Sequence, residues 1–186
     1  HYILSTDSEG IIPFSTITEK DLDEVQKIEG MDYSGLSIQR ATVSKTEDSN
    51  TLDITYFATD HNEEEILNPI MEDTDLKISD LKKNEVILDS SFKEDEGIQV
   101  GDHVIDKTSK QKLKVVAFAK NAKYGYSEIG FISSDTYTGM RQKTDPSYQW
   151  QAQTLVTKKD IPSSDLASNL MVADKKQVID KIPGYK

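Results

Sequence analysis

Apolar residues in this chain come in short, strand-length runs fenced by polar turns, and that spacing constrains the fold more than any total does. The densest series lies between Asn84 and Ser133. It holds Val86-Ile87-Leu88, a helical turn around Phe92, the tight turn Val100-Gly101-Asp102, and two further runs at Leu113–Ala119 and Ile129–Ile132. Such runs build β-strands, and none reaches the ~18 apolar residues of a membrane span. At 186 residues the chain has room for one good-sized domain or two small lobes sharing a core. The pattern reads as a soluble mixed α/β domain.

The flanks repeat the theme. Tyr2-Ile3-Leu4 reads as a first strand, and Thr18 with the acidic residues after it reads as the cap of a helix from about Glu19 to Ile28, stopped by Gly30. A strand is predicted over Leu36–Ser44. A polar loop at Thr46–Asn50 then leads to Leu52–Ala58, where Leu52, Ile54, Tyr56 and Ala58 alternate. Ile66, Leu67, Ile70 and Met71 are expected to form a short helix broken by Pro69, followed by a polar connector from Asp75 to Asn84. Ser133-Ser134-Asp135 caps a helix to about Arg141, with Tyr137 and Met140 facing inward. Trp150–Thr157 alternates like a long strand. Leu166–Val172 is open between helix and strand, and Asp174 begins a final helix that Pro183-Gly184 stops.

Composition removes several classes of function. The net charge is -11, the basic residues are interleaved with acidic ones, and Arg40 and Arg141 are the only arginines. A nucleic-acid partner needs clustered Lys and Arg to displace counterions, and an anionic membrane needs a polybasic patch; neither is present. With no Cys there is no disulfide framework, thiolate metal site or Cys nucleophile. Beginning at His1 without a Met or signal peptide, the chain reads as a segment of a longer protein.

No catalytic, cofactor or metal site is expected. His1, His61 and His103 lack the convergent spacing of a zinc site, and the acidic run Asp60–Glu65 lacks the spacing of a calcium loop. Gly125-Tyr126-Ser127-Glu128-Ile129-Gly130 misplaces its second Gly for a hydrolase elbow, and no His follows it. Paired carboxylates of a glycosidase type are uninformative where Asp and Glu are so abundant. Tyr124 and Tyr126, flanking Gly125 before a strand, are the candidates for partner or substrate contact, because exposed rigid aromatics favour interfaces.

The central stretch resembles the extracytoplasmic (periplasmic core) domain of FtsX-like, MacB-type ABC transporter permeases. Val86, Ile87, Leu88, Asp89, Phe92, Ile98, Val100, Gly101 and Asp102 occupy the positions of one family element. Lys114-Val115-Val116-Ala117-Phe118 fits the strand that follows it, with Ala117 in place of the common Gly. Tyr124, Ile129, Phe131, Ile132, Ser133, Asp135 and Tyr137 match a third element. The similarity is strong over about the middle third, and Tyr2–Ser5 and Val178–Tyr185 resemble the domain's ends. The short insert and Tyr-x-x-Ser element are most similar to the haem-exporter and DevC-like permeases of Gram-positive bacteria. The residues expected to carry structure are Val86, Leu88, Asp89, Phe92, Val100, Gly101, Asp102, Val116, Phe131 and Ser133.

The resemblance implies an α+β, MacB-like domain of two mixed α/β lobes: one from residues 1–73 with 147–186, the other from 74–146. It implies a place on the extracellular face of the cell membrane, in the loop between the first two transmembrane helices of an exporter permease. The partners it implies are a second permease through membrane helices absent here, and a separate cytoplasmic subunit that hydrolyses ATP. The domain itself is then non-catalytic and couples or gates export. Haem is the favoured cargo and antimicrobial peptide or lipid the alternative; the motifs are packing and turn residues and do not encode it. If haem touches the domain, Tyr, His or Met near Tyr124–Tyr126 are the side chains to take part; the alternative is that the family's binding determinants sit on the membrane helices absent here. A secreted or surface binding module and a carboxylate-based hydrolase are the rival readings.

Overall fold

The computed structural model describes residues 2–5, 33–60, 67–157 and 170–173. Ten strands run through them: β1 Tyr2–Ser5, β2 Tyr33–Ser44, β3 Leu52–Asp60, β4 Glu85–Asp89, β5 His103–Asp106, β6 Lys112–Ala119, β7 Lys123–Tyr124, β8 Ser127–Ser133, β9 Thr154–Thr157 and β10 Leu170–Ala173. Two α-helices accompany them, α1 Ser91–Glu96 and α2 Ser134–Arg141, with a 3-10 turn at Ile78–Asp80. The sheet-rich α+β class expected from the sequence is what forms. The predicted helices at 19–28 and after Asp174 lie outside the described residues.

The chain divides into two compact units, 1–38 with 59–67 and 151–186, and 39–58 with 68–150. The lobe limits drawn from the sequence differ from these. Residues 39–58 group with the central stretch because the hairpin of β2 and β3 supplies part of its core. In the first unit β1 lies antiparallel between β10 and β9, and β9 pairs antiparallel with the start of β2. Gly35 N donates to Asp60 Oδ1 at 2.9 Å, tying the start of β2 to the end of β3.

In the second unit the strand order β2-β3-β8-β4-β6-β5 closes on itself, because β5 pairs back onto β2 through Val43↔Asp106 and Ser44↔Ile105. The result is a six-stranded ring whose interior is filled by side chains, as expected for a barrel this narrow. Ile54, Tyr56 and Ala58 of β3, Val86 and Leu88 of β4, Val104 of β5, Leu113 and Val115 of β6 and Ile132 of β8 share one buried cluster. Phe92 of α1, Ile98 after it, and Tyr137 and Met140 of α2 join it. Gly130 sits opposite Leu88, where an added Cβ would lie 2.6 Å from Ile54 Cδ1. The strands pack that closely because residue 130 has no side chain. Outside the ring, Phe57 makes edge-to-face contacts with Tyr124 and Phe131 at 5.4 and 5.9 Å. This is why β3 is buried on both faces beyond Asp53, where simple alternation predicts only one.

Two local expectations are corrected, and one left open is decided. No helix forms over residues 67–71: Ile70 is exposed, and Met71 makes a single bridge to Ala119, with Pro69 denying the backbone an amide at the point a helix would need it. The predicted long strand Trp150–Thr157 is strand only over Thr154–Thr157. Trp150 instead packs edge to face on Tyr137, with ring centroids 5.9 Å apart. The stretch Leu166–Val172, open in the sequence, contributes strand at Leu170–Ala173.

Candidate functional site

The residues of the central motif prove to be joints. Asp89 is almost wholly buried; its Oδ1 accepts from Ala122 N at 2.7 Å, and its Oδ2 accepts from the Ser91 amide and hydroxyl. One carboxylate thus fixes the start of α1 and the turn after β6. Three hydrogen bonds give both oxygens of this buried carboxylate the partners that burial takes away in the form of water. Gly101 has φ +98, and its amide donates to Val115 O, while Val115 N donates to Asp102 O, both at 2.8 Å. Asp102 Oδ2 accepts from Gln99 N at 2.9 Å and holds the turn from within. The turn therefore clasps β6 beside an irregularity in its parallel pairing with β4, where Val86↔Val115 is followed by Ile87↔Ala117. Val116 is the extra residue, half-buried at that bulge.

Val86, Leu88, Phe92 and Phe131 are buried, as packing residues should be, and Ser133 Oγ accepts from Thr136 N at the start of α2. Val100 departs from its expected role. It is 61 % exposed, on a turn whose other residues, Gln99, Gly101 and Asp102, also face solvent, while Ile98 before it enters the core. Tyr124 and Tyr126 also part company. Tyr126 is 75 % exposed at the β7–β8 turn, where Gly125 takes φ +64; Tyr124 is half-buried with its ring against Phe57. The turn leaves one aromatic in solvent and uses the other for packing. Ser127, once a nominal elbow residue, accepts from Thr55 Oγ1 at 2.6 Å as an ordinary strand residue. His103 is exposed on β5, and no group of metal-ligating side chains gathers among the described residues.

The feature sequence reasoning missed is a cavity of about 220 Å³ on the second unit, lined by Arg40 and Ala41 of β2, Tyr56, Asp106, and Tyr137, Met140 and Arg141 of α2. Asp106 is only 4 % exposed. Its Oδ1 accepts from Tyr56 Oη at 2.8 Å, and its Oδ2 accepts from Ser109 N and Oγ at 2.9 and 2.7 Å. Burial first, and then the adjacent Asp106 charge and hydrogen bond, hold the Tyr56 hydroxyl well above its ordinary pKa. Tyr56 is thus a fixed donor to a carboxylate whose oxygens are both engaged. A second hollow, of about 360 Å³, runs from Arg40 past Asp53 and Glu128 to Tyr126. The sequence showed only that arginine is scarce; that Arg40 and Arg141, its two, both border the first cavity emerges from the fold.

No family model matches the chain, and no curated protein matches its sequence. Solved structures do. The periplasmic region of MacB from Actinobacillus actinomycetemcomitans matches with a TM-score of 0.64 at 12% identity, over 98% of this chain and 93% of that one. The extracellular domain of the noncanonic ABC-type transporter YknZ from Gram-positive bacteria matches with a TM-score of 0.60 at 12% identity, over 93% of this chain and 98% of that one. The fold of the chain is the fold of these domains.

Proposed function

We propose that this chain is the extracellular domain of an ABC exporter permease subunit, placed between the first two transmembrane helices. The observation that carries the reading is the near-complete coverage in both directions of the MacB and YknZ domains, which leaves little of either partner unmatched. The motif residues add support, since Asp89, Gly101 and Asp102 all serve as joints of one ring. Among the described residues no helix is long and apolar enough to cross a membrane, so anchoring would fall to flanking helices. In this reading the domain is non-catalytic. It transmits motion between the membrane helices of a permease dimer and the transported molecule, while a cytoplasmic subunit hydrolyses ATP.

Haem is the cargo we favour, with antimicrobial peptide or lipid as the alternative, and Tyr126 is the side chain best placed to meet it. The test of the assignment is the coding sequence on either side of residues 1–186. Apolar spans of about 20 residues on both flanks are expected; a signal peptide with a wall anchor in their place would overturn it. Cargo is tested separately by titrating the chain with haem. A Soret shift lost in Tyr126→Ala supports contact here, and no shift removes haem binding by this domain.

A further inference from the structure

The two arginines of the chain, far apart in sequence, border the same small cavity, while all its other strongly basic side chains are lysines. Arg141 is already positioned. Its guanidinium carbon lies 4.9 Å from the Tyr148 ring centroid and 5.9 Å from that of Tyr137, and its Nη1 donates to Tyr137 Oη at 3.3 Å. A planar fork held against aromatic faces loses little freedom on gripping a planar anion, which a lysine ammonium does not match. Ala41, Tyr56, Tyr137 and Met140 give the cavity an apolar wall, and Gln39, Thr108, Ser109 and Thr144 complete the lining with uncharged polar groups. Asp106 is the one carboxylate on the lining, and its oxygens accept from Tyr56 and Ser109. The ligand's charge is therefore matched by the arginines, and its body by the apolar walls.

We propose that this cavity binds a small organic anion, a carboxylate carried on a compact apolar or aromatic body, with Arg40 and Arg141 as its charge partners. The net charge of -11 disfavours capture of anions at long range, so recognition depends on these local donors. This binding site is independent of the permease reading and would stand if that reading fell.

Trp150, the single tryptophan, packs on Tyr137 at the cavity wall, so its emission reports occupancy. The chain is titrated with benzoate, with benzamide as a neutral molecule of the same shape, and with inorganic phosphate. Saturable quenching or enhancement by benzoate is expected, with none from benzamide and phosphate binding at least tenfold weaker. Arg141→Gln and Arg141→Lys should each weaken benzoate by about tenfold or more, the usual effect of losing a charge-assisted, geometrically matched hydrogen bond. Arg40→Gln, at an exposed position with little packing to lose, should weaken it similarly while the unfolding midpoint stays at the wild-type value. Four results overturn the proposal: no saturable response, an equal response to benzamide, phosphate binding as tightly as benzoate, or Arg40→Gln binding benzoate unchanged.

Discussion

Placing a methyl group at residue 130 tests whether the strand ring is packed to atomic contact. The Cβ of Gly130→Ala would lie 2.6 Å from Ile54 Cδ1, 3.3 Å from Val86 Cγ2 and 3.4 Å from Ile54 Cγ1. Ile54 is 1% exposed and Val86 0%, so neither side chain has solvent to move into. Overpacking of this kind costs about 1–3 kcal/mol, and the reduced freedom of the unfolded chain returns about 0.4–1 kcal/mol. Gly130→Ala should therefore destabilise the protein by about 1.3 kcal/mol, the difference between the midpoints of those ranges. Ile54→Val alone removes the offending Cδ1 and should cost about 0.5–1.5 kcal/mol. In the double variant the closest contact no longer exists, so its loss should fall short of the sum of the singles by about 1 kcal/mol. Urea unfolding followed through Trp150 emission, which reports on the same unit, measures all four corners of the cycle. A neutral Gly130→Ala, or singles that add to within about 0.5 kcal/mol, would refute the close-packed interior.

Two further perturbations probe the joints. Tyr56→Phe leaves Asp106 Oδ1 without the Tyr56 hydroxyl, at a cost of about 1.5–3 kcal/mol near neutral pH for a hydrogen bond to a charged group. Because the folded state raises the pKa of this phenol above 10.0, its contribution is complete below pH 10 and is lost as pH rises through the raised folded value. The gap in urea midpoint between wild type and Tyr56→Phe should then narrow above about pH 10, and a gap that widens there contradicts the network. At the clasp on β6, Gly101→Val meets open space but must hold a β-branched residue at φ +98, which should cost about 1–3 kcal/mol. Gly101→Ala should fall between it and wild type by thermal unfolding; a Val variant as stable as wild type would remove the argument from backbone strain.

Much of this architecture was legible in local patterns. The position of β3, the run Val86-Ile87-Leu88 and the Ser133 cap with Tyr137 and Met140 inward all depend on residues close in sequence, and the structure has them where the pattern put them, though β3 is buried on both faces where its alternation predicted one. Gly101 was read as part of a tight turn, and there it adopts a positive φ. What escaped is non-local. His103–Asp106 is short, carries a charged residue at its end, and gains its place by pairing with both β6 and β2. Without β5 the ring cannot be drawn. Asp106 could not be picked out among 33 acidic residues, since its partners Tyr56 and Ser109 converge only in three dimensions. The scarcity of arginine was visible, but served only to exclude nucleic acid; that both arginines meet at one hollow is a property of the fold.

The closure of the ring also bears on how this unit meets other proteins. An open sheet offers partners a free edge of backbone amides and carbonyls, and many domains bind extended peptides by adding a strand there. Here β5 turns back onto β2, so the six strands use up most of their backbone edges on one another. Little template remains for sequence-indifferent strand addition. Whatever docks on the second unit must be read through side chains, at places such as the exposed Tyr126 or the hollow beside Arg40, and a surface read that way is free to change its partner by substitution without reopening the ring.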